Sequence, residues 1–64
     1  MEFVVHLEWI GKYSISVEFQ SAGGWFTIRR YHPSSGWIHE YRAKDLRKVM
    51  AKVDELVEEC KLDA

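Results

Sequence analysis

Cysteine, proline and long apolar runs are scarce in this chain of 64 residues. Its single cysteine, Cys60, cannot close an internal disulfide, so the staple common in small secreted domains is missing. No apolar stretch reaches the ~20 residues of a membrane-spanning helix. No charged start runs into an apolar segment and a small-residue cleavage site, so no signal peptide is expected. With one proline, four glycines and 47% hydrophobic residues, the composition is not that of a disordered chain. These absences point to one folded domain, residues 1–64, in a reducing, cytoplasmic compartment and without a membrane partner. At this length only ~60% of the unfolded chain's surface is buried on folding, which leaves stability marginal.

Reactive groups are scarce too. A closed zinc site wants four ligands at close spacing, usually with paired cysteines. Here His6, His32 and His39 stand apart, and His32, His39 and Glu40 across a turn match no ligand spacing. Ser34 and Ser35 are turn formers rather than a nucleophile elbow. No glycine-rich loop opens a helix to cradle phosphate. The chain is therefore expected to be no enzyme and to need no metal or other cofactor.

Alternation is abundant. Phe3, Val5, Leu7 and Trp9 alternate with Val4, His6 and Glu8, and Tyr13, Ile15, Val17 and Phe19 alternate with Ser14, Ser16 and Glu18. Period-two patterns rich in β-branched and aromatic residues mark half-buried strands. Pairing Phe3 with Phe19 sets Val5, Leu7 and Trp9 against Val17, Ile15 and Tyr13 on one inner face, since a one-residue slip would expose the whole set. The opposite side, with His6, Glu8, Ser14, Ser16 and Glu18, reads as ordinary solvated surface. SAGG at 21–24 and PSSG at 33–36 are further turns. Strands are expected at about 2–10, 12–20, 25–32 and 37–42. Beyond them, Leu46, Val49, Met50, Val53, Leu56, Val57 and Cys60 form one helical stripe over about 45–61, with Asp45 as the N-cap. The order ββββα predicts an α+β fold: a four-stranded antiparallel meander with one C-terminal amphipathic helix packed on one face.

One helix covers one face, so the other is left to water or a partner. With Phe26 and Ile28 inward, Trp25, Thr27, Arg29 and Tyr31 point outward. A three-residue loop after His32 would align Trp37, His39 and Tyr41 with that outer row; a four-residue loop would turn them inward. Charge is uneven as well. Residues 25–48 carry Arg29, Arg30, Arg42, Lys44, Arg47 and Lys48 against Glu40 and Asp45, a net of +4 in a chain of net charge −1. Lys44, Arg47 and Lys48 crowd the start of the helix and Glu58, Glu59 and Asp63 its end, the reverse of what the helix dipole favours.

Aromatic faces beside cations suit single-stranded nucleic acid, in which bases stack and phosphates meet arginine and lysine. The candidate contact residues are Trp25, Arg29, Arg30, Tyr31, Trp37, His39, Tyr41, Arg42, Lys44, Arg47 and Lys48. In a duplex variant, the sheet would enter the major groove and Arg29, Arg30 or Arg42 would meet guanine edges. The ββββα order and the string FTIRRY at 26–31, followed by a proline–glycine turn, resemble the positive-cofactor-four transcriptional coactivators and the related Whirly proteins. That resemblance rests on Ile28, Arg29 and Tyr31, and it implies single-stranded DNA binding on a curved sheet and dimerisation. The same tryptophan, tyrosine and arginine strip equally suits a protein partner, as a homodimer, a small adaptor or an inhibitor.

Overall fold

The turn between the first two strands is shorter than the alternation suggests, and much follows from it. In the computed structural model, which describes residues 1–63, β1 (Glu2–Ile10) and β2 (Tyr13–Gln20) are joined by Gly11 and Lys12 alone. Gly11 has φ +61°, the left-handed geometry that two-residue hairpin turns need. A two-residue turn makes Ile10 the partner of Tyr13, so Trp9 pairs with Ser14 and Leu7 with Ser16. At the far end Phe3 still pairs with Phe19. The two registers differ by one residue, and a bulge absorbs the mismatch: Val4 faces Glu18, His6 faces Val17, and Val5 is the extra residue. The expected inner set is thereby corrected. Leu7 and Trp9 lie on the face away from the helix, and His6, Glu8 and Ile10 lie on the helix side.

The sheet continues through β3 (Trp25–His32) and β4 (Gly36–Ala43), in the order β1-β2-β3-β4 and antiparallel throughout. The turn after His32 has three residues, because His32 pairs with Gly36. That places Trp37 opposite Tyr31 and His39 opposite Arg29, on the outer row. A second bulge then intervenes. Ile28 pairs with Tyr41, Glu40 is the extra residue, and Tyr41 returns to the helix side. Each outer strand of the sheet thus carries one bulge.

Helix α1 (Leu46–Asp63) packs across one face and touches all four strands. Asp45 caps it: Oδ1 accepts the Arg47 N–H at 2.9 Å, and the Asp45 carbonyl accepts the Val49 N–H at 3.1 Å. Val49, Val53, Leu56 and Cys60 are buried against Ile15, Val17 and Ile28. Phe26, Tyr41, Ala43 and Val57 pack at the margin of this core. Leu46 and Met50, expected in the stripe, are exposed. Met50 sits about 90° around the helix from the centre of the buried line, so it flanks the contact instead of entering it. None of the described helical residues form a span long and apolar enough to cross a membrane.

Candidate functional site: the open face of the sheet

Partners across antiparallel strands share a face, so the register gives the open face row by row. Its first row is Trp9, Ser14, Tyr31 and Trp37; the second is Leu7, Ser16, Arg29 and His39; the third is Val4, Glu18, Thr27 and Arg42. Strand β2 contributes small or polar residues, and its neighbours contribute large ones. Ser14, Ser16 and Thr27 are buried on this side without help from the helix. Ser14 meets its hydrogen-bonding need locally, donating from Oγ to the Glu8 carbonyl at 3.1 Å.

Serine at the centre lets its neighbours meet overhead. Strands β1 and β3 lie two spacings apart, roughly 10 Å. Yet the rings of Trp9 and Tyr31 approach to 6.0 Å between centroids, at an interplanar angle of 62°. Tyr31 and Trp37 continue the row at 5.4 Å and 62°. Edge-to-face pairs of this kind contribute ~0.5–1.5 kcal/mol each beyond their buried area, so the row is preorganised. Beside it opens a cleft of about 270 Å³, floored by Ser16 and walled by Val4, Leu7, Arg29 and Trp37, with Glu18 at its end. This is smaller than the ~300–1,000 Å³ of ordinary ligand pockets, and fits a side chain better than a metabolite.

Four of the large exposed apolar residues lie on this face. Val4 is 62% exposed, Leu7 53%, Trp9 61% and Trp37 48%. A contiguous patch of that kind on a small domain marks a binding surface. Trp25, by contrast, is half-buried. Its ring carries the Arg42 guanidinium 4.3 Å from the centroid and the Lys44 ammonium at 4.9 Å. Gly23, at φ +92°, holds a backbone geometry that is strained for any side chain, and a Cβ there would press on the Trp25 ring, 3.0 Å from Cδ1.

The basic residues do not converge. Arg29 pairs with Glu18 at 3.3 Å on the open face. Arg30, its neighbour in sequence, is on the helix side, where it meets Glu40 at 3.0 Å and Glu59 at 3.5 Å. Its Nε is buried without a hydrogen-bond partner among the described residues. Glu40 reaches Arg30 from the β4 bulge. Arg47 and Lys48 are exposed on the first turn of α1. Of the residues singled out in the sequence, Trp25, Arg29, Tyr31, Trp37, His39 and Arg42 therefore share the open face. Arg30 and Tyr41 occupy the other face, and Lys44, Arg47 and Lys48 lie at its margin or on the helix. Two of the charges at the helix ends find partners in the sheet: Lys44 lies over Trp25, and Glu59 meets Arg30.

Leu7 and Trp9 are the open-face residues that sequence alternation hides. The signal that reveals them is the turn: Gly-Lys closes a hairpin in two residues, which fixes Trp9 opposite Ser14. Ser14 and Ser16, expected as solvated surface, are instead the covered floor of the face. On the helix side, burial pushes the Cys60 thiol above its ordinary range, and the nearby Arg30 guanidinium opposes the shift. No cluster of three or more His, Cys, Asp or Glu that could hold a metal occurs among the described residues. No protein-family model, curated protein or solved structure matches the chain.

Proposed function

We propose that this chain is a non-enzymatic protein-binding module that docks its partner on the open face of the sheet. One observation carries the reading: Val4, Leu7 and Trp37, all about half exposed or more, line a side-chain-sized cleft on the sheet, with the exposed Trp9 on the same face. Tryptophan and tyrosine in such a setting are the residues most enriched among interface hot spots. The cations favour the same reading, since Arg29, Arg30, Arg42 and Lys44 are engaged within the chain instead of forming a free basic track. A photoreactive phenylalanine analogue at Trp37, irradiated in extract of the native cells, is expected to yield a nuclease-resistant protein adduct. The same analogue at Asp54, on the exposed side of α1, should not. Equal labelling from both positions, or none from either, would remove the proposal.

A second reading, single-stranded nucleic-acid binding, is favoured by the row Trp9–Tyr31–Trp37 with Arg29 and Arg42 in the rows beside it. Three ring faces offer stacking at ~1–3 kcal/mol per base. The resemblance of residues 26–31 to the coactivator family leans the same way. Under this reading, an oligonucleotide titrated at ~50 mM salt quenches tryptophan fluorescence, and added salt weakens binding steeply. Absence of quenching by both single-stranded and duplex DNA would dismiss it.

A further inference from the structure

We infer that the open face is occupied by a second copy of this chain, in an isologous pair whose sheets pack face to face. The inference rests on the protein-binding reading above and names the partner. Four features support it.

The first is where association is obstructed. Sheets most readily associate through unpaired edge strands, and bulges are one device that prevents this. Here both edge strands carry one, at Val5 in β1 and at Glu40 in β4. The edges are blunted and the face is not, so contact is directed to the face.

The second is self-complementarity. One end of the face is aromatic, with Trp9, Tyr31 and Trp37; the other is cationic, with Arg42 and Lys44 stacked on Trp25. A two-fold axis lying across the strands, between the Ser16 row and the Glu18 row, sets the aromatic end of each copy on the cationic end of the other. It brings Leu7 over Val4 of the second copy, and the Tyr31 and Trp37 row over the Trp25 end of the second copy. The same surface patch is used by both copies, as an isologous interface requires. The Arg29–Glu18 pairs lie near the axis, where they can exchange partners between copies without leaving a charge unpaired.

The third is area. The molecule measures 34 × 21 × 14 Å, and the sheet face spans its two longer dimensions, on the order of 700 Å². Stable interfaces of standard size bury ~800 Å² per partner, so this face is of the size that such a pair needs. The fourth is need. Only seven apolar side chains are buried among the described residues, a thin core for a free-standing domain. A second sheet ~10 Å away would convert the exposed rows into a further apolar layer.

Sedimentation equilibrium over a range of concentrations, with circular dichroism as a check on folding, tests the inference. The wild type is expected at twice its 7.6 kDa chain mass, dissociating on dilution. Leu7→Asp and Trp37→Ala, both at exposed positions, should each retain the fold and weaken the pair by at least roughly 30-fold, the size of a hot-spot loss. Met50→Asp, on the exposed flank of the helix, should leave it unchanged. A wild type that stays monomeric at ~100 μM, well above the range of specific association, would overturn the inference while leaving the cross-linking result at Trp37 to decide the broader reading. A dimer broken by Met50→Asp but not by Leu7→Asp would overturn it as well, by moving the contact to the helix.

Discussion

On the helix side of the sheet, Ile15, Val17 and Ile28 lie sealed beneath Val49, Val53 and Leu56, whereas on the open side Leu7, Trp9 and Trp37 stand half in water. Both sets hang from the same four strands, and neighbours one residue apart meet opposite conditions. Arg29 and Arg30 show the contrast in a single dipeptide. Arg30 bridges β4 and α1 through Glu40 and Glu59, and its side chain is 25% exposed. Arg29 pairs within the sheet to Glu18 and is 43% exposed. The helix side is built to be filled from within. The open side has small or polar residues along β2 and large ones on the strands beside it, a shape that accepts something from outside.

This contrast can be broken by substitution, and the largest effect should come from the core. Ile28→Ala removes a fully buried side chain between sheet and helix, and urea denaturation should show a loss of ~2–5 kcal/mol. Trp37→Ala in the monomeric state should cost far less; an equal loss would mean that the open face is a second core and not a docking surface. Next comes the arginine pair. Arg30→Ala leaves Glu40, 18% exposed, without its cation, and should cost ~1–3 kcal/mol. Arg29→Ala should cost no more than ~1 kcal/mol. Reversal of that order in chemical denaturation would contradict the assignment of the two faces.

Asp45→Ala probes whether the helix is seated locally or by the core alone. Loss of its bond to the Arg47 N–H should lower stability by ~1 kcal/mol, with helical circular dichroism retained at low urea. The smallest effect is tied to pH. Burial raises the Cys60 thiol above its ordinary value of 9.0. Below that value the thiol is protonated in both folded and unfolded chains, so its contribution is intact. As pH rises past 9.0 the unfolded chain ionises first, and stability is lost until the folded value is passed. Wild type should therefore lose stability relative to Cys60→Ala between pH 8 and pH 10, as read from paired thermal melts. Parallel curves would show that the thiol is not shielded.

Sequence pattern makes the fold class legible, because alternation and the helical stripe are independent periodic signals and both are strong. The outward facing of Trp25, Arg29 and Tyr31 is legible for the same reason: Phe26 and Ile28 have only one core to enter. What the pattern conceals is set by single residues. The apolar run Phe3–Val4–Val5 supports either facing of β1, and the choice falls to a two-residue turn that contributes no hydrophobic signal. The position of Tyr41 depends on the bulge at Glu40, the residue that pairs with Arg30 across the sheet. That contact between β3 and β4 is invisible to any local window. Cationic residues adjacent in sequence likewise look like one basic patch, although strand geometry separates Arg29 from Arg30 and the Trp25 ring takes up Arg42 and Lys44.

Val5 is a spacer in β1, since the pairing on either side of it would be continuous in its absence. Deleting it would mend the outer strand without turning a single neighbour over, so the molecule would keep both surfaces and gain a smooth, unguarded border. Such a border invites open-ended growth, strand added to strand, in place of an assembly that closes at a fixed number. Light scattering that stays flat for the shortened chain would show that something other than this one residue keeps the protein from polymerising.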